Sequence, residues 1–359
     1  MIESVYIHIP FCKTICSYCD FCKVFYNKNW TKKYLSALKK EIIDRYNKET
    51  IKTIYFGGGS PSSLSLEELD ILLSYIYLFN LDYNPEITFE CNLNDINKDL
   101  LKILKNYNVN RLSIGIQSFN EDNLLILGRE HTYKEAKEKI ALLRSMGFNN
   151  INLDLMYGIK GQTIKSLKDD LKLFKKLKPE HISTYSLILN EHTILSVNKE
   201  ENISEDLDYQ MYKTVCKSLK KYNHYEISNF ALKGYECKHN LTYWNNEHYY
   251  GFGLSASGYI DSIRYTNTYN LRKYLNNNYQ GNEELISNKT NMDNEIMLGL
   301  RKIKGINEKQ FFDKFKCNIK DEYPIIPLLK NKDLIEKDGY IFIPLDKIYI
   351  QNEILLKMI

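Results

Sequence analysis

At 359 residues and 43% hydrophobic composition, the chain can bury one large core of roughly 200–250 residues and leave a smaller module over. Its 49 Lys+Arg and 45 Asp+Glu are interleaved along the whole length for a net charge of +4, a mixture that argues against nucleic acid as the main partner. No run approaches about 18 uninterrupted apolar residues, so a spanning helix is excluded and any membrane contact is expected to be peripheral. The first residues lead straight into a strand-like pattern at 5–9. They lack the charged and apolar regions of a signal peptide, so a cytoplasmic protein is expected. The eight cysteines then read as thiols or metal ligands rather than disulfides.

Short β-branched runs at 5–9, 53–56, 87–90, 111–116, 152–156 and 182–187 predict strands. Between and after them, segments of helical period predict helices over 31–46, 66–78, 133–146, 164–177 and 205–221. In the first of these, Tyr34, Leu35, Leu38, Ile42 and Tyr46 recur at three- and four-residue spacing. Alternating β and α segments predict an α/β fold, an incomplete (β/α)6 barrel over residues 1–233, with its chemistry at the strand C-terminal ends. After Gly234 the alternation stops. Gly- and aromatic-rich turns over 235–259 and helices near 269–277 and 291–302 follow. Helices near 308–315 and 325–332 and a hairpin turning at Lys337, Asp338 and Gly339 come last. This second part, 234–359, is expected to be a smaller, mostly helical domain ending in a winged-helix-like unit.

Four of the cysteines fall within 12–22. The spacing of Cys12, Cys16 and Cys19 arises by chance about 0.004 times in a chain with this many cysteines. A [4Fe–4S] cluster takes one thiolate per iron, so three ligands leave one iron open. Such an iron can chelate the amino and carboxylate groups of S-adenosylmethionine (SAM) and deliver an electron to its sulfonium. A zinc site completed by Cys22 or a histidine is the structural alternative, and Cys22 could also close the cluster as fourth ligand. Gly57, Gly58 and Gly59 follow a predicted strand, where glycines allow close backbone approach and their N–H groups can bind a ligand. A plain turn would need only one of them. Glu90, Gln117 and Asp154 sit on different strands as polar side chains in apolar runs, and Arg129 follows in a loop. Each, taken alone, fits a core hydrogen bond as well as a ligand contact. His239, with Tyr243 and Trp244 beside it, offers an imidazole and two aromatic faces, though a histidine among aromatics is commonly structural.

The segments Tyr6–Cys12 and Cys16–Phe21 resemble the radical SAM branch that contains oxygen-independent coproporphyrinogen III oxidase and the heme chaperone HemW. The likeness extends through 55–61, 110–119, 127–129, 152–158 and 239–244, over nearly the whole chain. It implies that Cys12, Cys16 and Cys19 hold the cluster and that Tyr6, Tyr18, Gly58, Gly59, Ser60, Glu90, Gln117, Arg129 and Asp154 line a SAM site. Leu93 stands where the family usually has proline. The resemblance also implies that His239, Tyr243 and Trp244 bind heme, and that residues 251–258 form a tight loop facing the barrel mouth.

Two functions are then in competition. A chaperone would carry heme to an apo-hemoprotein acceptor, with a homodimer left open. The oxidase would decarboxylate propionates with SAM radicals. The oxidase has a long extension before its first strand and a cysteine two residues after the third cluster cysteine. Here the strand begins near Met1 and the corresponding residue is Phe21, so the chaperone is expected. A radical SAM methylase or other transferase would leave 239–244 unexplained.

Overall fold

The computed structural model describes residues 2–198 and 200–359. Six parallel strands carry the fold: β1 (Ser4–Ile9), β2 (Thr50–Gly58), β3 (Asn80–Asn92), β4 (Arg111–Gln117), β5 (Ile151–Tyr157) and β6 (His181–Ser186). Their alternation decides which way each residue faces. Val5, Ile7, Ile54, Phe56, Leu112, Ile114, Leu153 and Leu155 are fully buried against the helices, each worth about 1.5–3 kcal/mol of apolar burial. The opposite parity is polar and turns into the barrel, which is why these strands do not read as unbroken apolar runs.

Helices α1 (Lys28–Arg45), α2 (Leu66–Ser74), α3 (Lys98–Asn106), α4 (Glu121–Leu127), α5 (Tyr133–Ser145), α6 (Ile164–Lys176) and α7 (Glu205–Ser218) complete the barrel. Capping chemistry fixes several starts. Reciprocal boxes form at Ser65 and Glu68 and at Thr132 and Glu135, each satisfying two orphan N–H groups. The expected helix 66–78 is α-helical to Ser74 and tightens to a 3₁₀ turn over Tyr75–Leu78. Helices α3 and α4 were not foreseen, each being only two or so turns long.

The sheet continues beyond the six strands. β7 (Asn223–Glu226) and β8 (Asn229–Ala231) extend it antiparallel beyond β6, and β9 (Tyr250–Phe252) lies parallel to β1. The order is therefore β9-β1-β2-β3-β4-β5-β6-β8-β7, and the change of pattern after residue 233 is not a break in the sheet. Segment 251–258, expected to face the mouth, runs on from β9 and binds the buried face of α1: the Gly253 N–H donates to Glu41 at 2.9 Å and the Leu254 N–H to Tyr34 at 2.9 Å. Glu41 is fully buried and also accepts from Arg45, Asn267 and Tyr274, the donor set a buried carboxylate needs. The C-terminal end packs helices Glu308–Phe315, Ile319–Glu322 and Ile325–Lys330 on a small sheet of Ile306–Asn307, Ile335–Lys337 and Tyr340–Phe342. The hairpin there turns at Asp338 and Gly339, both at positive φ, as a tight two-residue turn requires. No described helix is long and apolar enough to cross a membrane.

Candidate functional site

A cavity of about 460 Å³ opens at the C-terminal ends of the strands, and Cys12, Cys16 and Cys19 all line it. Their loop leaves β1 and is closed where Phe11–Cys12 pairs with Val24–Phe25. The Ser17 N–H donates to the Leu127 carbonyl at 3.3 Å, and Asn190 donates to Asp20 at 2.5 Å. His8, which the sequence did not single out, anchors the loop from beneath. Its Nε2 donates to the Cys22 carbonyl at 2.8 Å, which leaves Nδ1 to accept from the Tyr6 hydroxyl at 3.0 Å. Burial pushes its pKa down to about 4, so the ring is neutral at physiological pH.

Burial and the neighbouring thiols push Cys12 up to about 12, so loading iron must displace its proton. Among the described residues no three His, Cys, Asp or Glu side chains converge on a single metal ion. A cluster asks for less convergence, since each thiolate bonds a different iron. Cys22 is not in the cavity wall, and burial raises its pKa as well.

Of the residues implied for SAM, all but Tyr6 line this same cavity. Tyr6 lies lower, its ring tilted against Tyr55 and His239. Glu90 accepts from the Tyr55 hydroxyl at 2.8 Å and the Gly58 N–H at 3.1 Å, and burial lifts its pKa to about 7. Arg129 donates to the Gly115 carbonyl at 2.8 Å and to the Tyr18 hydroxyl at 3.1 Å. Asp154 accepts from Asn152 at 2.8 Å. Gln117 follows a register shift between β4 and β5, has φ +71, and its Oε1 has no partner. Its left-handed backbone in the cavity wall makes Gln117 a candidate ligand contact, although Oε1 itself is sealed from the cavity.

The glycine run differs from expectation in one respect. The Gly58, Gly59 and Ser60 N–H groups are taken by Glu90, the Ile9 carbonyl and the Phe11 carbonyl, so they are not free for a ligand carboxylate. Gly58 has φ +115 and a Cβ there would stand 2.6 Å from the His8 ring, while a Cβ on Gly59 would stand 2.8 Å from the Pro10 backbone. These glycines let β1, β2 and the cysteine loop meet, and they line the cavity through shape.

His239, Tyr243 and Trp244 lie at the other end. Helix α8 (Lys238–Trp244) crosses the strand starts, where Ser4, Thr53 and Glu86 stand level in register. Ser4 meets Thr242 at 2.8 Å, and Glu86 accepts from the Lys238 and His239 N–H groups. His239 is 1% exposed, with Nδ1 at 2.8 Å from Thr53 Oγ1 and Nε2 at 2.7 Å from the Tyr243 hydroxyl. Burial, then the Arg111 charge, lowers its pKa to about 3. Trp244 Nε1 is buried without a partner. Of this helix only Asn240 reaches the cavity, from below. Arg111, part of the cavity wall, is not singled out by the sequence. Its signal was parity, two residues before Ser113 and six before Gln117.

Comparison with known proteins decides the family. Residues 6–174 match the Radical SAM superfamily. The heme chaperone HemW of Lactococcus lactis is 41% identical over 94% of this chain and 91% of its own length, and that of Bacillus subtilis is 38% identical over 93% and 92%. The chain belongs to the HemW family. Membership of the radical SAM superfamily implies a [4Fe–4S] cluster and SAM; the three wall thiols fit the first, and the charged groups of Glu90, Arg129 and Asp154 in the same wall fit the ammonium and carboxylate of the second. The solved coproporphyrinogen III oxidase (HemN) of Escherichia coli, a radical SAM enzyme, superposes with a TM-score of 0.86 at 20% identity over 99% of this chain and 89% of that one. This shows that the chain shares its fold with that enzyme.

Proposed function

We propose that this chain is a heme chaperone that binds heme and passes it to an apo-hemoprotein acceptor. The observation that carries the reading is the near full-length identity to relatives named heme chaperone HemW. Cys12, Cys16 and Cys19 would hold the cluster, and Tyr18, Gly58, Gly59, Ser60, Glu90, Gln117, Arg129 and Asp154 would enclose SAM. When bound, the cluster and SAM supply one-electron chemistry at the cavity mouth. The protein's own groups order that site. Arg129 braces Tyr18, Glu90 can hold a proton near neutral pH, and His8 fixes the loop beneath the thiols. Residues 1–233 would carry the cofactors, and 234–359 would supply the floor helix and the second module.

Heme would engage His239, Tyr243 and Trp244, with the neutral imidazole available to hold its iron. Because both ring nitrogens are already bonded, ligation there requires the Tyr243 hydroxyl to release Nε2 and α8 to shift from the floor. A cytoplasmic site of action accords with this reading. The test is anaerobic reconstitution followed by heme titration and coproporphyrinogen turnover on the same sample. About one heme per chain with a Soret band that His239→Ala shifts or abolishes supports the proposal. Robust porphyrinogen turnover overturns it.

A further inference from the structure

Arg111 opens β4, and alternation puts it on the inward face with Ser113, Gly115 and Gln117, all of them in the cavity wall. Register pairs it with Thr88, which places it one inward step above Glu86, at the inner end of the cavity near Asn240 of α8. It is 1% exposed, its Nε has no partner, and its guanidinium forms no ion pair or hydrogen bond with any described residue. Thr88 Oγ1, opposite it, is also unpartnered.

A guanidinium carries five donors and keeps its charge in any protein environment. Burying one without an acceptor is among the least favourable arrangements a fold can hold. The surrounding acids balance its charge at a distance but accept their hydrogen bonds elsewhere: Glu86 from the α8 N–H groups, Glu90 from Tyr55 and Gly58, Asp154 from Asn152. Arg129, at the mouth, has two protein acceptors. Arg111 has none.

We propose that Arg111 is the base of a carboxylate-binding subsite at the inner end of the cavity, distinct from the thiol-lined mouth. A planar fork with one positive charge matches a carboxylate in geometry and charge. Among the described residues no second cation lines this end, as a phosphate would favour, and Asn240 adds a neutral amide. The acid group comes either from a small free carboxylic acid or from the propionate arm of a tetrapyrrole. The subsite stands on the burial of Arg111 and does not rest on the heme reading.

The test uses cluster-loaded, SAM-saturated full-length protein with sodium propionate as probe and propionamide as its neutral counterpart, read by calorimetric titration and melting temperature. Propionate should bind saturably and raise the melting temperature, and propionamide should not. Arg111→Met should weaken propionate binding at least about tenfold. Arg111→Lys should retain part of the binding. A purely structural counter-charge to Glu86, Glu90 and Asp154 would instead leave propionate without effect on wild type.

Heme that displaces propionate while its dimethyl ester does not would assign the tetrapyrrole arm. Displacement by neither would assign a small free acid. Both keep the subsite. Wild type that does not distinguish propionate from propionamide, or Arg111→Met that binds propionate as tightly as wild type, overturns it. The wild-type comparison needs no variant to fold.

Discussion

The mouth and the floor of the barrel treat polar groups in opposite ways. At the mouth the Cys12, Cys16 and Cys19 thiols line an open cavity. At the floor nearly every polar group is closed on another: His239 between Thr53 and Tyr243, Ser4 on Thr242, Glu86 on the start of α8. Open groups at the end of rigid strands are ready to take a cofactor with little reorganisation. A closed network can take a ligand only by breaking bonds it already makes. If heme binds at the floor, binding is coupled to motion of α8. Cofactor loading at the mouth carries no such requirement.

The largest effect should come from the mouth thiols. Replacing Cys12, Cys16 or Cys19 with serine should take iron from about four per chain to near zero and abolish the broad absorption near 400 nm. Cys22→Ser should leave both intact, because its side chain stays out of the cavity wall. Equal loss in Cys22→Ser would mean a closed cluster, with no iron open to SAM.

Next in size is the floor. His239→Ala strands Thr53 Oγ1 and the Tyr243 hydroxyl and leaves a void, at a cost of about 3–4 kcal/mol in unfolding free energy. Iron content should not change. If denaturant midpoints of apo wild type and variant coincide, the floor network is not what holds α8, and the contrast between the two ends fails.

How far this contrast could be read from the sequence depends on which physical signal each residue leaves. The six strands, the longer helices and the cysteine loop were legible, because β-branched runs, helical period and thiol spacing are local. The parallel pairing of Tyr250–Phe252 with β1 was not. It joins residues more than 240 apart, and a three-residue strand has no period to detect. His239 illustrates the limit best. Its neighbours Tyr243 and Trp244 were visible, but Thr53, which occupies Nδ1, lies 186 positions away, so its hydrogen-bonding state could not be foreseen. The glycine run was legible as a close approach. What it approaches is largely the protein itself, because the partners at Ile9, Phe11 and His8 lie on another strand.

The smallest and most discriminating test is pH, because the two ends carry shifts of opposite sign. Glu90 rises from 4.5 to about 7 when folded. Between those values the folded state holds more protons than the unfolded. Its contribution is therefore full below pH 4.5 and is lost as pH rises through 7. His239 falls from 6.5 to about 3, so its contribution is present above pH 6.5 and is lost as pH falls through 3. His8 and His131, both lowered to about 4, share that sign. Between roughly pH 4.5 and 6.5 the mouth carboxyl and the floor imidazole thus oppose one another. Glu90→Gln should make apo-protein stability climb more steeply with pH, and the difference from wild type should grow by no more than about 2–3 kcal/mol between pH 4.5 and 7. That figure is an upper limit, since Glu90 faces the cavity and water there offsets part of its burial. Glu226, also raised to about 7 by burial, keeps its own slope in both proteins and cancels in the difference. Urea midpoints measured across this range for wild type, Glu90→Gln and His239→Ala read the two ends separately. Parallel curves for wild type and Glu90→Gln would show that Glu90 titrates as an ordinary solvated carboxylate and that the mouth is wetter than its walls imply.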